Sequence, residues 1–480
     1  MKTTSVNGKS LRGKAGQQIA LVGLGIYVAF APHSVAASVI GVAVAGVGWV
    51  IRTLQTRSFG LRWSKFDLII VLSLLWTVAS ALLSEEPRIS VAKLEASWCV
   101  FIFYLARTTL TRRSALILVT LLIVSGSAGA LYSAFDLLRG RGVVVESIAP
   151  GSPFNQIEIK PGDTIWQINR RRVYSTTDID QILAQTTRVT VGLIAQGEQV
   201  ERSFTLTQPS ASGITGSESN HRFRASGWTR HYETFAELIQ MIALLALGLA
   251  LAHLRNHGPN RIFRIALLAA ALLTAGLVFT AMRTVIVAFV IGASVMALRS
   301  LRATLRVVFT FALFAVLAFA AVVVWQTRDR NALLLGDPSS SLRYQVARNG
   351  LSRILIHPVF GHGMDAMQLH WNEWGFPGKD MLHLHSTPLQ LAFDRGLPML
   401  ALWLWMVILF WLTIARAERR AADLSDTNFY GILLGTLGAL TGFLMSSLVN
   451  YNYGDAEVAM MFWFLMGIAL STDYADSSSA

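Results

Sequence analysis

The chain has 480 residues, of which 53% are hydrophobic and only 14% are charged, and its mean hydropathy is +0.49. This composition fits lipid as the main surroundings and excludes an ordinary soluble protein. The formal net charge of +13 comes from basic residues scattered along the chain. A nucleic-acid-binding protein gathers such residues on one soluble face, so the sequence predicts no nucleic-acid partner.

Apolar stretches long enough to cross a membrane recur along the chain. A helix of about 20 residues crosses the hydrocarbon core of a bilayer, which is roughly 30 Å thick. We therefore expect a polytopic α-helical membrane protein of about twelve transmembrane helices, in contact with membrane lipids. Pro32 and a second apolar run directly follow the first stretch, which is therefore not expected to be a cleavable signal peptide. The predicted spans are residues 17–32, 35–51, 66–83, 92–108, 114–136, 233–253, 262–280, 284–299, 305–325, 390–415, 428–449 and 455–471.

Basic residues cluster in every second connection between these spans. The positive-inside rule places such connections in the cytoplasm. The sequence thus predicts that both termini are cytoplasmic and that residues 138–232 and 326–389 are exported. The basic clusters lie at residues 2–14, 52–65, 107–113, 255–264, 299–306 and 416–420.

The first exported segment has the pattern of a small soluble α/β domain. Residues 142–148 are rich in β-branched side chains, as is typical of a strand, and a Pro/Gly turn follows. Residues 175–185 begin with helix-capping side chains and place Ile179, Ile182 and Leu183 on one helical face. Residues 189–206 predict a hairpin around Gln196 and Gly197, and a flexible Ser/Gly linker is expected at 210–220.

The stretch VVVESIAPGSPFNQIEIKPGDTIWQINRRRV at residues 143–173 resembles the PDZ domain of bacterial periplasmic proteases. The resemblance implies a PDZ-like domain at residues 138–208, inserted on the periplasmic side. It also implies a loop that accepts the carboxy terminus of a peptide or protein partner by strand addition. An alternative left open is a spacer or docking surface without a peptide ligand. The implied peptide-binding loop consists of Leu138, Arg139, Gly140, Arg141 and Gly142.

The second exported segment combines an arginine-bearing helix, a Pro/Gly turn and a histidine that precedes the next span. Its pieces are Arg343, the turn PVFGHG at 358–363, and HS at 385–386, with Gly396 after nine further residues. Two arginine motifs lie earlier in the chain: RASGW at 224–228 and TAMRTVIVAFVIGA at 280–293.

In this order, the motifs resemble those of the O-antigen ligase and polymerase family, with Met399 in place of the family's last glycine. The resemblance covers nearly all of the chain outside the PDZ-like insert. It implies a glycosyltransferase of the bacterial inner membrane that moves a glycan from an undecaprenyl-diphosphate-type lipid donor to an acceptor hydroxyl at the periplasmic face. The acceptor stays open: lipid A core for a ligase, another glycan for a polymerase, or a protein for an O-oligosaccharyltransferase.

The residue types at the motifs suit such a transfer. Arginine binds phosphate groups bidentately, so Arg224, Arg283 and Arg343 are expected to hold the donor diphosphate. Histidine is the usual side chain for removing a hydroxyl proton near neutral pH, so His385 is the expected catalytic base of an inverting transfer. No Asp-x-Asp cluster lies in the second exported segment, so neither a metal nor a cofactor is expected there. The glycines expected to shape the loop are Gly361, Gly363 and Gly396.

Other interpretations of these residues remain open. His385 could lie at the membrane interface without chemistry. Arg283 could pair with a carboxylate on another helix, and Arg224 and Arg343 could be ordinary surface charges. A membrane transporter or a scaffold without enzymatic activity are the alternatives of another class. An intramembrane protease lacks its usual motifs, because the chain has no His-Glu-x-x-His and no Gly-x-Ser-x-Gly. The expected division of the chain is 1–137 (five helices), 138–208 (PDZ-like domain), 209–232 (linker), 233–325 (four helices), 326–389 (catalytic loop) and 390–480 (three helices and a tail).

Overall fold

The computed structural model describes most of the chain, with short gaps. The predicted hairpin turn at Gln196 and Gly197 lies outside the described residues, as do the basic amino-terminal residues 1–12. The described residues are 13–61, 63–195, 198–208, 210–216, 219–229, 231–327, 338–378, 383–423 and 426–471.

Long helices dominate the described chain, and ten of them are long and apolar enough to cross a membrane. The prediction of a polytopic helical membrane protein is thereby confirmed. Two of the twelve predicted spans fall on shorter helices, one of 17 and one of 14 residues. The helices outside the insert are α1 (Lys14–Phe30), α2 (Val35–Thr56), α3 (Lys65–Leu83), α4 (Pro87–Thr109), α5 (Arg112–Arg139), α7 (Tyr232–His257), α8 (Arg261–Phe279), α9 (Arg283–Ser300), α10 (Ala303–Thr327), α11 (Pro338–Ile354), α12 (Ala366–Leu369), α13 (Thr387–Ala421), α14 (Thr427–Ser447) and α15 (Ala456–Ala469).

Burial divides the helices into a centre and a periphery. The most apolar window of α7 is entirely buried, and α7 packs against α14, α8 and α9. In α10 only 11% of the corresponding window is buried, so its apolar side chains face the surroundings. A long, continuous run of exposed apolar side chains fits lipid surroundings, because water disfavours contact with extended apolar surface. The helix α7 is therefore the centre of the bundle, and its neighbours α14, α8 and α9 pack around it.

Successive helices run up and down, so the connections alternate between two ends of the bundle. The helices α7, α9 and α13 all begin at one end, which we call the site end. Hydrogen bonds between these starts and the α14–α15 connection fix this arrangement. The Asn450 amide donates to Thr284 Oγ1 over 3.2 Å, and the Thr387 hydroxyl donates to the Asn450 carbonyl oxygen over 3.2 Å.

The insert follows α5 at the site end and has its own apolar core. One sheet has the order β1-β3-β5-β6 with β4 paired to β3, and a two-stranded sheet pairs β2 with β7. Ile179 and Leu183 are fully buried and Ile182 is packed against the core, which agrees with the predicted helical face. The elements are β1 (Val143–Val144), β2 (Ser147–Ile148), β3 (Thr164–Ile168), β4 (Arg171–Arg172), α6 (Thr176–Leu183), β5 (Arg188–Ala195), β6 (Glu198–Thr205) and β7 (Ile214–Thr215).

The segment predicted to be a flexible linker is partly a strand. It runs antiparallel to residues 141–149, where the Ala149 amide donates to the Gly213 carbonyl and the Glu146 amide to the Thr215 carbonyl, both over 2.8 Å. Ile214 is buried in the core of the insert. The Ser/Gly composition suggested a linker, but strand pairing in three dimensions satisfies its backbone groups instead.

The predicted peptide-binding loop, Leu138 to Gly142, has a structural role. Leu138 and Arg139 are the last residues of α5. The backbones of Arg141 and Asn220 exchange hydrogen bonds of 2.8 and 3.0 Å. The backbone of Arg141, within the predicted loop, is therefore already paired within the chain.

A buried ion pair joins the insert to α5. Arg141 Nε lies 2.5 Å from Asp136 Oδ2, both side chains are almost completely buried, and Arg172 Nη1 contacts the other carboxylate oxygen at 3.0 Å. Arg141 also donates to Ser226 Oγ over 3.2 Å. Breaking a buried pair leaves a charge without compensation, which costs about 3–5 kcal/mol. The insert is thus held at the site end by charge as well as by chain connectivity.

Candidate functional site

One cavity of about 640 Å³ at the site end brings together four of the residues singled out in the sequence. These are Arg224, Arg283, Arg343 and His385, which are separated by up to 161 residues in the chain. The cavity is concave and partly polar, as ligand sites usually are. The remaining lining residues are Tyr232, Glu233, Met282, Thr284, Ser340, Tyr344, Ala347, Leu384, Ser386, Leu389, Leu448 and Val449.

His385 lies in a tight backbone turn directly before α13. Its φ of 52° is in the left-handed region, which non-glycine residues seldom adopt and which stores strain. Its backbone N–H donates to His383 Nδ1 over 3.3 Å, and the Ser386 side chain caps α13. The Leu384 amide donates to Gln390 Oε1 over 2.7 Å. These contacts over-determine the turn and hold the imidazole at the cavity wall.

The His385 ring is set up to be neutral. Burial, and then the positive charge of Arg343 and the neighbouring His383, lower the pKa of His385 to about 3. Burial and Arg343 likewise lower the pKa of His383 to about 4. Within the described residues, no side-chain hydrogen bond occupies the ring nitrogens of His385. A neutral imidazole with a free lone pair can accept a proton.

Arg283 is the first residue of α9, and the helix directs its amino terminus at the cavity. The amino terminus of α13, at Ser386, lines the same cavity. A helix amino terminus carries partial positive charge and exposed N–H groups, so it favours an anion. Two helix starts therefore add to the charge of the arginines.

Arg224 is buried, with 2% of its surface exposed. Its guanidinium lies 4.3 Å from the ring centre of Tyr232, a cation–π contact. The next residue, Ala225, donates its backbone N–H to the Phe279 carbonyl over 3.0 Å, which fixes the segment to the end of α8. The interpretation of Arg224 as a surface charge does not agree with this burial.

Arg343 reaches the cavity from α11, which packs against α13. Its Nη2 lies 3.5 Å from Glu233 Oε1, at a partly exposed position. Such an exposed pair contributes little stability, about 0–1 kcal/mol, so an anionic ligand can compete for the arginine. Glu233 itself, in the first turn of α7, was not singled out in the sequence.

A buried polar network underlies the cavity and was also missed in the sequence. Glu237 of α7 is 3% exposed and accepts hydrogen bonds from the Ser446 hydroxyl at 2.8 Å and the Asn450 amide at 3.1 Å. Asn450 in turn bonds Thr284, beside Arg283, and Thr387, beside the His385 turn. A carboxylate inside an apolar span is rare and signals a functional or organising role. That signal was available in the sequence at Glu237.

The glycines expected to shape the loop allow close backbone packing between the 358–363 turn and α13. Gly396 interrupts α13 with φ 79°, and a Cβ there would collide with the Val359 carbonyl oxygen. Gly361 has φ 73°, and an added Cβ would come within 2.6 Å of the Arg395 nitrogen. Gly363 has φ 109° and would collide with Ser90. Only glycine adopts these angles without strain, so the turn can approach α13 and α4.

The fold and the cavity define a multi-pass helical membrane protein with a small sheet-containing insert and a cationic site at one end of the bundle. Residues 268–404 match the O-antigen ligase family, and residues 144–194 match the PDZ domain. Both resemblances drawn from the sequence are confirmed. No match to a curated protein was found.

The two matches differ in what they cover. The O-antigen ligase match includes Arg283, Arg343 and His385, whereas Arg224 precedes it. At the level of the family, it supports a ligase-like or polymerase-like membrane glycosyl transfer. The PDZ match begins at the second residue of β1 and includes β2 to β4, α6 and most of β5.

Proposed function

We propose that the protein transfers a glycan from a lipid diphosphate to an acceptor hydroxyl at the periplasmic face of the inner membrane. The observation that carries this proposal is the single cavity that holds Arg224, Arg283, Arg343 and His385. Cationic side chains and helix starts suit an anionic leaving group, and a neutral imidazole suits removal of a proton. The proposed diphosphate-binding groups and the proposed base would thus lie around the same cavity.

The rim of the cavity suits a lipid chain. Leu448 and Val449 line the cavity, and 53% and 46% of their surfaces are exposed, while Tyr344 on the opposite helix is 69% exposed. Large apolar side chains exposed in a membrane protein contact acyl or isoprenoid chains at little cost. The diphosphate of the donor would bind among the arginines, and its isoprenoid chain would leave past this rim into the bilayer.

In the proposed reaction, the acceptor hydroxyl oxygen attacks the anomeric carbon from the face opposite the diphosphate. The new carbon–oxygen bond forms as the bond to the diphosphate oxygen breaks, and the diphosphate leaves with that electron pair. His385 takes the hydroxyl proton. Because the donor brings negative charge beside Arg343, its binding should raise the pKa of His385 and make the imidazole a stronger base.

Reconstitution with defined substrates tests this function. The purified protein in lipid nanodiscs would receive an undecaprenyl-diphosphate-linked glycan together with lipid A core, a second lipid-linked glycan, or an acceptor protein. We expect one acceptor to gain the glycan, with release of undecaprenyl diphosphate and inversion at the anomeric carbon. Absence of transfer to all three acceptors, from a donor that demonstrably binds, would refute the proposal.

The periplasmic position of the cavity is a separate prediction. It rests on the alternation of basic connections, which puts the insert and Arg420 on opposite sides of the membrane. Alkaline phosphatase fused after Gln196 should be active, and the same enzyme fused after Arg420 should be inactive. The reverse pattern would place the cavity in the cytoplasm, where the proposed donor would have to be bound from the other leaflet.

Removal of the insert should separate recruitment from catalysis. Arg141 and Asn220 pair through their backbones, so a turn of about four Gly and Ser residues can replace residues 142–219 without moving either neighbour. The Arg141–Asp136 and Arg141–Ser226 contacts are kept. We expect the shortened protein to retain basal transfer in the purified assay and to lose activity in the cell, since the insert would raise the local concentration of a partner.

A folded, correctly inserted and inactive shortened protein would instead make the insert part of the transfer site. The matched control replaces only residues 196–197, between β5 and β6, with a Gly/Ser turn. That control keeps every contact of Arg141 and should leave both activities unchanged.

A further inference from the structure

A cluster of two histidines and one glutamate lies outside the residues that line the transfer cavity. Glu85 Oε2 is 2.6 Å from His362 Nδ1 and 3.8 Å from His357 Nε2. One ligand atom from each of the three residues lies within 4.8 Å of the other two. Among the residues that the structure describes, this is the one group of three with such an arrangement.

Elements far apart in the chain build the cluster. Glu85 belongs to the connection between α3 and α4, and His362 is 277 residues further on, in the turn between Gly361 and Gly363. The Glu86 amide donates to the His362 carbonyl oxygen over 3.3 Å, so a backbone hydrogen bond already holds the two segments together. The cluster therefore joins the amino-terminal helices to the loop that precedes His385.

The orientation of the His362 ring favours a ligand at Nδ1. Its Nε2 lies 3.0 Å from the Arg353 carbonyl oxygen, which can only accept, so Nε2 carries a proton. Metal-binding histidines usually donate their second ring nitrogen to a carbonyl or carboxylate in this way. The Nδ1 atom then faces the Glu85 carboxylate, and either a second proton or a cation must lie between these two acceptors.

The two distances from the Glu85 carboxylate to the histidine nitrogens lie on either side of the separation expected between ligand atoms of a tetrahedral zinc site. Zinc bonds of about 2.0–2.1 Å at tetrahedral angles separate ligand atoms by roughly 3.3 Å. Glu85 is nearer than this to His362, at 2.6 Å, and further from His357, at 3.8 Å. Because the Glu85 and His357 side chains are 37% and 45% exposed, both have room to move toward a shared ion. The buried His362 would stay in place.

A neighbouring histidine lacks this arrangement. His370 also contacts two carboxylates, but its Nε2 faces Glu86 and its Nδ1 faces Glu373, at 2.8 and 2.6 Å. The two nitrogens of one imidazole point in different directions and cannot bind the same ion. His370 therefore serves as a matched control with similar partners and no shared centre.

We propose that Glu85, His357 and His362 bind one zinc ion, with water in the fourth position. Two imidazoles and a carboxylate form a set of ligands that binds zinc in preference to magnesium or calcium, which take mainly oxygen ligands. The ion fastens the 358–363 turn to the connection after α3. It takes no part in the transfer, whose cavity these residues do not line.

Zinc content of the full-length protein tests the proposal. The protein is purified through a tag without histidines, stripped with a chelator, and equilibrated with zinc before free metal is removed. Mass spectrometry of metals should give about one zinc per wild-type chain. Single variants Glu85→Gln and His357→Ala should lose that zinc, whereas His370→Ala should keep it.

Thermal unfolding of the same samples provides the second readout. An ion that binds only the folded protein raises the midpoint temperature of unfolding. Zinc should therefore stabilise wild type and His370→Ala but not His357→Ala. Equal zinc content in wild type and the His357→Ala variant would overturn the proposal and leave a hydrogen-bonded His362–Glu85 pair. His357 is half-exposed, so its alanine variant is expected to fold.

Discussion

Replacement of His385 by alanine is expected to lower the transfer rate by about 10²–10⁴-fold, the usual contribution of a positioned general base. The neutral ring lies in the wall of the cavity that also holds the arginines. Among the described residues, no side chain forms a hydrogen bond with its ring nitrogens. Donor binding should be nearly unchanged, because the imidazole is not expected to hold the diphosphate. The loss should therefore appear in kcat rather than in KM.

His370→Ala is the matched control, because His370 belongs to the same segment between α11 and α13 but does not line the cavity. It should transfer at a rate close to that of wild type. Size-exclusion profiles and thermal unfolding establish that the His385 variant is folded. Transfer by His385→Ala within a factor of about three of wild type would remove His385 from the mechanism.

The pH dependence adds a signature that a structural role would not produce. With its pKa lowered to about 3, His385 of the free protein stays neutral down to mildly acidic pH, so protonation of His385 should not reduce kcat/KM between pH 8 and 6. Arg343 contributes to the lowering. In Arg343→Gln, removal of that positive charge stabilises the imidazolium and raises the pKa, so the acidic limb should move to higher pH.

The sequence predicted the PDZ-like insert and the common end of the four candidate residues, but not how the two ends of the insert pair, and the reason is physical. The spans and their alternating connections follow from hydropathy and charge, so Arg224, Arg283, Arg343 and His385 could be assigned to one end of a bundle. Strand pairing between residues 141–149 and 213–220 depends on contacts across about 70 residues. No local pattern in a Ser/Gly stretch predicts such a pairing.

Arg141 illustrates the same limit. In the sequence it stood in a loop that resembled a peptide-binding element, whereas in the fold its charge is buried against Asp136. The acidic partner lies five residues earlier, near the end of an apolar helix, and was not singled out in the sequence. Burial decides between the two roles, and burial at a domain junction cannot be deduced from one segment alone.

Arg283→Ala is expected to weaken binding of a lipid diphosphate by about 10–100-fold, since a hydrogen bond to a charged group contributes about 1.5–3 kcal/mol. Arg283 begins α9 at the cavity wall, where its charge and the helix start act on the same anion. Arg283→Lys keeps the charge but loses the planar pair of donors, so it should recover only part of the affinity.

Arg264→Ala is the matched control for this series, because Arg264 is an exposed arginine in the first turn of α8. The site lies at the other end of that helix, where the Phe279 carbonyl accepts from Ala225. Binding of undecaprenyl diphosphate in nanodiscs, measured at two salt concentrations, separates a specific contact from general attraction. Screening weakens exposed charge interactions, whereas contacts inside a cavity persist. If Arg224→Ala, Arg283→Ala and Arg343→Ala all bound the donor as wild type does, the cationic cavity would not be the diphosphate site. His385 would then need another source of substrate alignment.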